Sequence, residues 1–102
     1  MRVALNGRNG NDLLNGGMGN DTLTGGADVD TFQFDGANFG SDLITDFAVG
    51  ELMDLTAYAG LTFGDLTIVD VAGNAEVSFA NGDITLAGIQ AANVDASYFD
   101  FA

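Results

Sequence analysis

Apolar and polar positions along this chain follow two different rhythms. In the first third, large apolar residues recur singly at a nine-residue step, at Leu5, Leu14, Leu23 and Phe32. The stretches between them are rich in Gly, Asn and Asp: G-R-N-G-N-D-L-L-N from Gly7 to Asn15, G-G-M-G-N-D-T-L-T from Gly16 to Thr24, and G-G-A-D-V-D-T-F-Q from Gly25 to Gln33. Asp12, Asp21 and Asp30 keep the same step. A short fixed period marks a solenoid, in which each unit is one supersecondary piece that buries its apolar face only by stacking on its neighbours. Each nonapeptide predicts a six-residue turn leading into a three-residue strand with its central side chain inward. Strands alternate between two facing sheets, so a full coil takes two units. Leu5 is then expected over Leu23 on one sheet, and Leu14 over Phe32 on the other.

Beyond Phe34 this register is expected to lapse. Phe34–Gly40 reads as a turn-rich exit, Ser41–Phe47 as a strand, Gly50–Thr56 as a further extended piece, and Thr56–Ala59 as one helical turn stopped by Gly60. The rhythm then becomes alternation by two over Leu66–Val71, Ala75–Ala80 and Asp83–Ala87. Ala72-Gly73-Asn74 separates the first pair and Asn81-Gly82, a strong hairpin signal, the second. That pattern predicts a three-stranded antiparallel meander with Val77, Phe79, Ile84 and Leu86 turned toward a core. Ala91–Ala102 carries Tyr98, Phe99 and Phe101 and reads as a short helix or turn packed on the meander. The predicted fold is all-β: a short parallel β-roll of nonapeptide repeats (4–34) capped by a C-terminal antiparallel β-meander (35–102), in a single domain spanning 1–102. A roll of under two coils leaves both ends uncovered. The meander closes one; the end at Leu5 either continues into a longer roll, the favoured reading, or is covered by another copy, and an upstream domain of a longer chain is expected.

Composition narrows what such a fold can do. The length of 102 residues suits one domain, and a 47% apolar content argues against disorder. Two basic residues against fifteen acidic ones give a net charge of −13. Nucleic acids and anionic membranes need clustered Lys or Arg, so neither is expected as a partner. No stretch approaches the ~20 apolar residues of a membrane span, so no membrane insertion is expected. The absence of Cys and His removes thiol and Ser-His nucleophiles and the usual zinc ligands. The Asp pairs could suggest glycosidase chemistry, but no cleft-forming segment accompanies them and a shared ion explains their proximity equally well. The chain is expected not to be an enzyme.

The repeat itself carries chemistry. Seven of the fifteen glycines lie between Gly7 and Gly26. A flexible linker has that density, but no reason to hold Asp and a large apolar residue at a strict step. Tight turns need positive φ at some positions, and only Gly adopts it freely. Calcium is a hard cation that takes carboxylate and carbonyl oxygens. A Gly-rich turn supplies carbonyls and its sixth position a carboxylate, so two turns stacked one coil apart can enclose one ion. The clearest expected site joins Gly7–Asp12 to Gly25–Asp30, with Asp12 and Asp30 as side-chain ligands and carbonyls around Gly7, Asn9, Gly25 and Ala27. Asp28, standing where the repeat has its second Gly, either adds a ligand or faces water. Turn Gly16–Asp21, with carbonyls at Gly16 and Met18 and the carboxylate of Asp21, lacks a repeat below it. Asp35, Asp42 or Asp46 is expected to supply its second carboxylate, with Asp46 carried as the candidate. An EF-hand reading of Asp28-Val29-Asp30 fails because Gln33 stands where Gly is required, and magnesium fits less well because it demands rigid octahedral geometry.

The unit G-G-M-G-N-D-T-L-T resembles the RTX (repeats-in-toxin) family of bacterial exoproteins. The runs Asp42-Leu-Ile-Thr-Asp46-Phe47 and Gly50-Glu-Leu-Met-Asp54-Leu55-Thr56 resemble the D-x-I-x-D-F…G-x-D-x-I-D-L-S stretch that follows such repeats in serralysin-type proteases. Asn81-Gly82-Asp83 and Tyr98-Phe99-Asp100-Phe101-Ala102 resemble the closing segments of type I-secreted proteins. The resemblance implies a calcium-binding β-roll, export through a type I secretion apparatus by an uncleaved C-terminal address, and an extracellular location. It accounts for the lack of an N-terminal signal peptide. Arg8, Asp28, Glu51 and Met53 depart from the family pattern, and the proteases' zinc motif is absent. An alternative implied by the same family is an extracellular polysaccharide-binding module, although Arg2 and Arg8 are the only basic side chains available for an anionic sugar.

Overall fold

The computed structural model describes residues 4–101 apart from 9, 11, 18, 27, 28, 37, 38 and 49. Among these residues ten strands form two sheets: β1 (Ala4–Asn6), β2 (Leu13–Leu14), β3 (Thr22–Thr24), β4 (Thr31–Gln33), β5 (Gly40–Ile44), β6 (Leu52–Leu55), β7 (Thr67–Val71), β8 (Asn74–Phe79), β9 (Gly82–Leu86) and β10 (Phe99–Phe101). The larger sheet runs β1-β3-β5-β9-β8-β7 and the smaller β10-β6-β4-β2. The chain is therefore an all-β roll in which strands β1 to β6 alternate between the two sheets, as the nine-residue step of the repeats requires.

The register of the repeats matches the expected stacking. Leu5 pairs with Leu23 and Leu14 with Phe32, both in parallel. The expectation that the roll ends at Phe34 is overturned. β3 pairs in parallel with β5, placing Leu23 beside Ile44, and β4 with β6, placing Phe32 beside Met53. The step has lengthened by three residues, which hides the period from sequence but not from the backbone. β5 then pairs in parallel with β9, and β6 with β10. Two inward columns result: Leu5, Leu23, Ile44 and Leu86 on one sheet, and Leu14, Phe32, Met53 and Phe99 on the other. All but Leu5 are buried, and they belong to one hydrophobic core whose burial stabilises the fold.

The antiparallel meander β7-β8-β9 is present, and it grows from the roll's own larger sheet. Val77, Ile84 and Leu86 are fully buried while Phe79 is partly so. Ala72 and Gly73 both take positive φ, 52° and 85°, as a two-residue hairpin of this type demands. At the second hairpin Phe79 pairs with Gly82, so Ala80 and Asn81 are the loop and Gly82 begins β9. A Cβ on Gly82 would lie 2.5 Å from the Gly40 carbonyl oxygen, which makes close backbone stacking the reason for this glycine. Residues 56–60 form turns where one helical turn was expected. Ala91–Asn93 and Ala96–Tyr98 are single 3-10 turns, and Phe99–Phe101 is a strand paired with β6 where a helix or turn was expected.

Aromatic rings fill the corners of the roll in its C-terminal two thirds. Phe47 packs between Phe32 and Tyr98 at centroid distances of 6.0 and 5.1 Å. Phe39 meets Phe34, Phe79 and Tyr58 at 5.0, 5.5 and 6.3 Å. Among the described residues no helix is long and apolar enough to cross a membrane.

Candidate metal centre

The turns that join the strands stack as regularly as the strands. At each turn an acidic residue sits two positions before the inward apolar residue: Asp12 before Leu14, Asp21 before Leu23, Asp30 before Phe32, Asp42 before Ile44 and Glu51 before Met53. Stacking brings these acids into two ladders. In one, Asp12 N–H donates to Asp30 Oδ1 at 2.8 Å, and Asp30 N–H donates to Glu51 Oε2 at 3.3 Å. In the other, Asp21 N–H donates to Asp42 Oδ1 at 2.9 Å. Reciprocal bonds run the other way through the backbone: Thr31 N–H to Asp12 O, Leu43 N–H to Asp21 O and Leu52 N–H to Asp30 O. Each lower carboxylate thus holds the turn above it, while the lower strand hangs from that turn's carbonyl.

One oxygen of Asp30 is used in that way. Its other oxygen, Oδ2, is buried and has no hydrogen-bond partner, and the whole residue is 0% exposed. Leaving an ionised carboxylate oxygen so costs several kcal/mol, on the order of an unpaired buried charge, unless a cation meets it. Oδ2 of Asp12 and of Asp21 is buried likewise. All three lie against the first glycine of their own turn: a Cβ at Gly7, Gly16 or Gly25 would collide with Asp12, Asp21 or Asp30 respectively. A Cβ at Gly7 would also come within 2.8 Å of the Gly25 carbonyl oxygen, which faces the upper turn. The space between turns 7–12 and 25–30 therefore collects carboxylate and carbonyl oxygens around glycines that keep it open. That donor set suits calcium, which takes six to eight hard oxygens, and would bring the ion to Asp12, Asp30 and carbonyls such as that of Gly25. Among the described residues no three acidic side chains converge on one point, so carbonyls must make up much of any coordination shell.

Asp12, Asp30, Gly7 and Gly25 are thus brought together. Gly16 lies against Asp21, and Asp42, not Asp46, supplies the carboxylate that faces Asp21 from the next coil. Asp46 lies elsewhere: its Oδ1 accepts from Gly25 N–H at 2.9 Å and its Oδ2 from Gly26 N–H at 2.8 Å. In the two upper units the equivalent second-position amide is capped from within the repeat, by Asn6 on Arg8 and Asn15 on Gly17. Thr24 replaces that Asn in the third unit, and Asp46 reaches up from the next coil to do the same work. Asn9, Met18, Ala27 and Asp28 lie outside the described residues. Glu51 was not among the sequence candidates. The spacing of an acid two residues before an inward apolar one would have found it.

Burial sets the electrostatics of the lower acids. Desolvation, reinforced by the Asp21 charge, pushes the Asp42 carboxyl up from 3.8 to about 7, against the lowering effect of its bond from the Asp21 amide. Burial likewise raises Glu51, with the Asp30 charge adding to it. Both acids are therefore more readily neutral in the fold than in water, because burial strips their charged forms of solvent.

Comparison with known proteins agrees with this chemistry. A family model described as the RTX calcium-binding nonapeptide repeat matches residues 4–32 in four copies. The solution structure of the AlgE6R2 subunit from the Azotobacter vinelandii mannuronan C5-epimerase is 34% identical, with a TM-score of 0.65 over 93% of this chain and 73% of that one. The crystal structure of the extracellular lipase LipA from Serratia marcescens is 23% identical, with a TM-score of 0.68 over 99% of this chain, and shares the fold. The chain spans 19% of the lipase chain. No curated protein sequence matches.

Proposed function

The chain belongs to the RTX family of calcium-binding nonapeptide-repeat proteins, and from that premise we propose that residues 4–34 act as a calcium-dependent folding switch within an exported, extracellular protein. RTX repeats bind calcium, and the module is a calcium-binding element. The observation that carries the finer reading is Asp30, fully buried with one oxygen on the Asp12 amide and the other without a hydrogen-bond partner. Asp12 and Asp30, with carbonyls of the Gly7 and Gly25 turns, form the principal site. Asp21 with Asp42 forms a second.

Calcium supplies the positive charge that a chain of −13 lacks. Without it, stacking the turns forces like charges together and buries them; the repeats then favour an open chain able to pass through a secretion channel. Because the paired turns exist only in the fold, affinity for the ion becomes folding free energy. The C-terminal segment, ending in Phe99–Phe101, serves as the type I export address, and residues upstream in a longer chain carry any catalytic activity. The extracellular location of the Serratia lipase supports this, as does the small share of that chain which the module covers.

The test is far-UV circular dichroism with chelator and with calcium, together with calorimetric titration of Asp30→Asn. The β signal is expected to fall in chelator and return with calcium, and Asp30→Asn to weaken binding by at least about tenfold while removing a buried charge from the calcium-free fold. Identical spectra in both conditions would end the proposal. The likeness to an epimerase subunit favours one other reading, contact with a polysaccharide. Binding of uronate oligomers that persists in chelator would support it, and the scarcity of basic residues argues against that result.

A further inference from the structure

Glu51 closes the Asp12–Asp30 ladder, and it does so differently from the aspartates above. Its side chain is 3% exposed. Oε2 accepts the Asp30 amide from the turn above, the role that Asp30 Oδ1 plays for Asp12. Its second oxygen, Oε1, accepts the Ala48 amide of its own turn at 3.0 Å, and the Glu51 amide in turn donates to the Ala48 carbonyl. In Asp30 the second oxygen is buried without a hydrogen bond. The extra methylene of Glu carries that oxygen past the point an Asp reaches and onto an amide.

We propose that Glu51 makes a cation unnecessary at this junction: its two oxygens accept amides from turn 25–30 and from its own turn 46–51, so the junction forms without metal and Glu51 is not a metal ligand. The inference rests on the calcium reading above and divides the ladder into an ion-dependent junction, Asp12–Asp30, and an ion-independent one, Asp30–Glu51. Its surroundings fit that division. The inward residue beside Glu51, Met53, is fully buried between Phe32 and Phe99 of the neighbouring strands, and Phe47 of the same turn packs on Phe32 and Tyr98. By contrast the inward residue of the first strand, Leu5, is only partly buried.

Hydrogen exchange read by mass spectrometry on the full chain, in calcium and in chelator, tests this. In chelator, peptides over 45–55 are expected to stay protected while those over 7–24 exchange freely. Glu51→Gln keeps length and volume but turns an NH2 group toward one of the two amides, and is expected to speed exchange over 45–55 in chelator by about tenfold or more. Glu51→Asp is expected to lose the same protection in chelator and to regain it when calcium is added. Protection over 45–55 that requires calcium in the unsubstituted chain would overturn the proposal, as would a Glu51→Asp chain that behaves like the parent in chelator. Should Glu51→Gln not fold, the parent chain and Glu51→Asp still decide the matter. A chain whose exchange ignores calcium everywhere would instead refute the calcium switch, so the two failures are distinct.

Discussion

Gly17 and Gly26 occupy the second position of consecutive repeats and share a left-handed backbone, with φ of 76° and 82°. What lies above them differs. Among the described residues a Cβ at Gly17 meets nothing within 4 Å, whereas one at Gly26 would overlap the Arg8 carbonyl group, lying 2.8 Å from its carbon and closer still to its oxygen. That is more than half an ångström short of the 3.4 Å at which ordinary contact begins, and the obstacle is backbone that no rotamer can move. Gly17→Ala therefore carries only left-handed strain, about 1–2 kcal/mol, partly offset by the stiffer unfolded chain, for a net of about 1 kcal/mol. Gly26→Ala carries the same strain plus about 1–3 kcal/mol of overpacking. Parting the turns also stretches the two 2.8 Å bonds that join them, Gly7 N–H to Thr24 O and Asp12 N–H to Asp30 Oδ1, each contributing about 1 kcal/mol. The excess of Gly26→Ala over Gly17→Ala should be about 2–4 kcal/mol, and at ~4–8 °C per kcal/mol for a domain near this size the melting temperatures should differ by at least about 8 °C. Thermal unfolding of both variants in saturating calcium measures it. Equal losses, or a greater loss for Gly17→Ala, would show that the turns do not stack at the observed spacing.

Asp46→Ala removes the cap from Gly25 and Gly26 and is expected to cost about 1–2 kcal/mol without changing the number of ions bound, measured by denaturation and calorimetric titration; loss of one ion would restore Asp46 as a ligand. The raised carboxyl of Asp42 sets a pH dependence for the calcium-free fold. A group whose pKa rises on folding contributes stability that is fully present below its unfolded value and lost as pH climbs through the folded one, here between 3.8 and about 7. In calcium-free buffer the urea midpoint should therefore fall from about pH 5 to about pH 8, and a flat or rising profile would contradict the burial of Asp42 beside Asp21.

The repeats were legible because their period writes geometry directly into the sequence. A nine-residue step in both Asp and the inward residue fixes strand length, sheet alternation and the pairing of Leu5 with Leu23 and Leu14 with Phe32. The meander was legible through its period of two. What escaped was the continuation of the roll between them. The backbone step grows by three residues at β5 and β6, and then whole hairpins and turns intervene before β9 and β10. A search for a fixed period misses a solenoid whose rungs differ in length, although the acid-x-apolar triplets at Asp42-Leu43-Ile44 and Glu51-Leu52-Met53 kept the signal locally. Asp46 was misplaced for a related reason. Placing it required knowing that Thr24 fails to cap its own turn as Asn6 and Asn15 do, and which coil lies below it.

The two ladders also explain why so short a roll can stand. Each added coil brings a turn with an acid in it, and a purely repetitive roll must bind another ion for each stacked pair. Here the demand ends by substitution. Below Asp30 comes Glu51, whose oxygens are both satisfied by amides. Below Asp42 comes Ile84, a fully buried aliphatic residue paired to it in register. As the acids give out, the inward columns gain Met53, Phe99, Ile44 and Leu86, and the corners gain the aromatic contacts of Phe39, Phe47, Tyr58 and Tyr98. Cohesion thus passes along the chain from charge that needs a partner ion to apolar surface that needs none. Under the proposed calcium switch, the ion need order only the coils of residues 4–34, against a surface held by apolar packing.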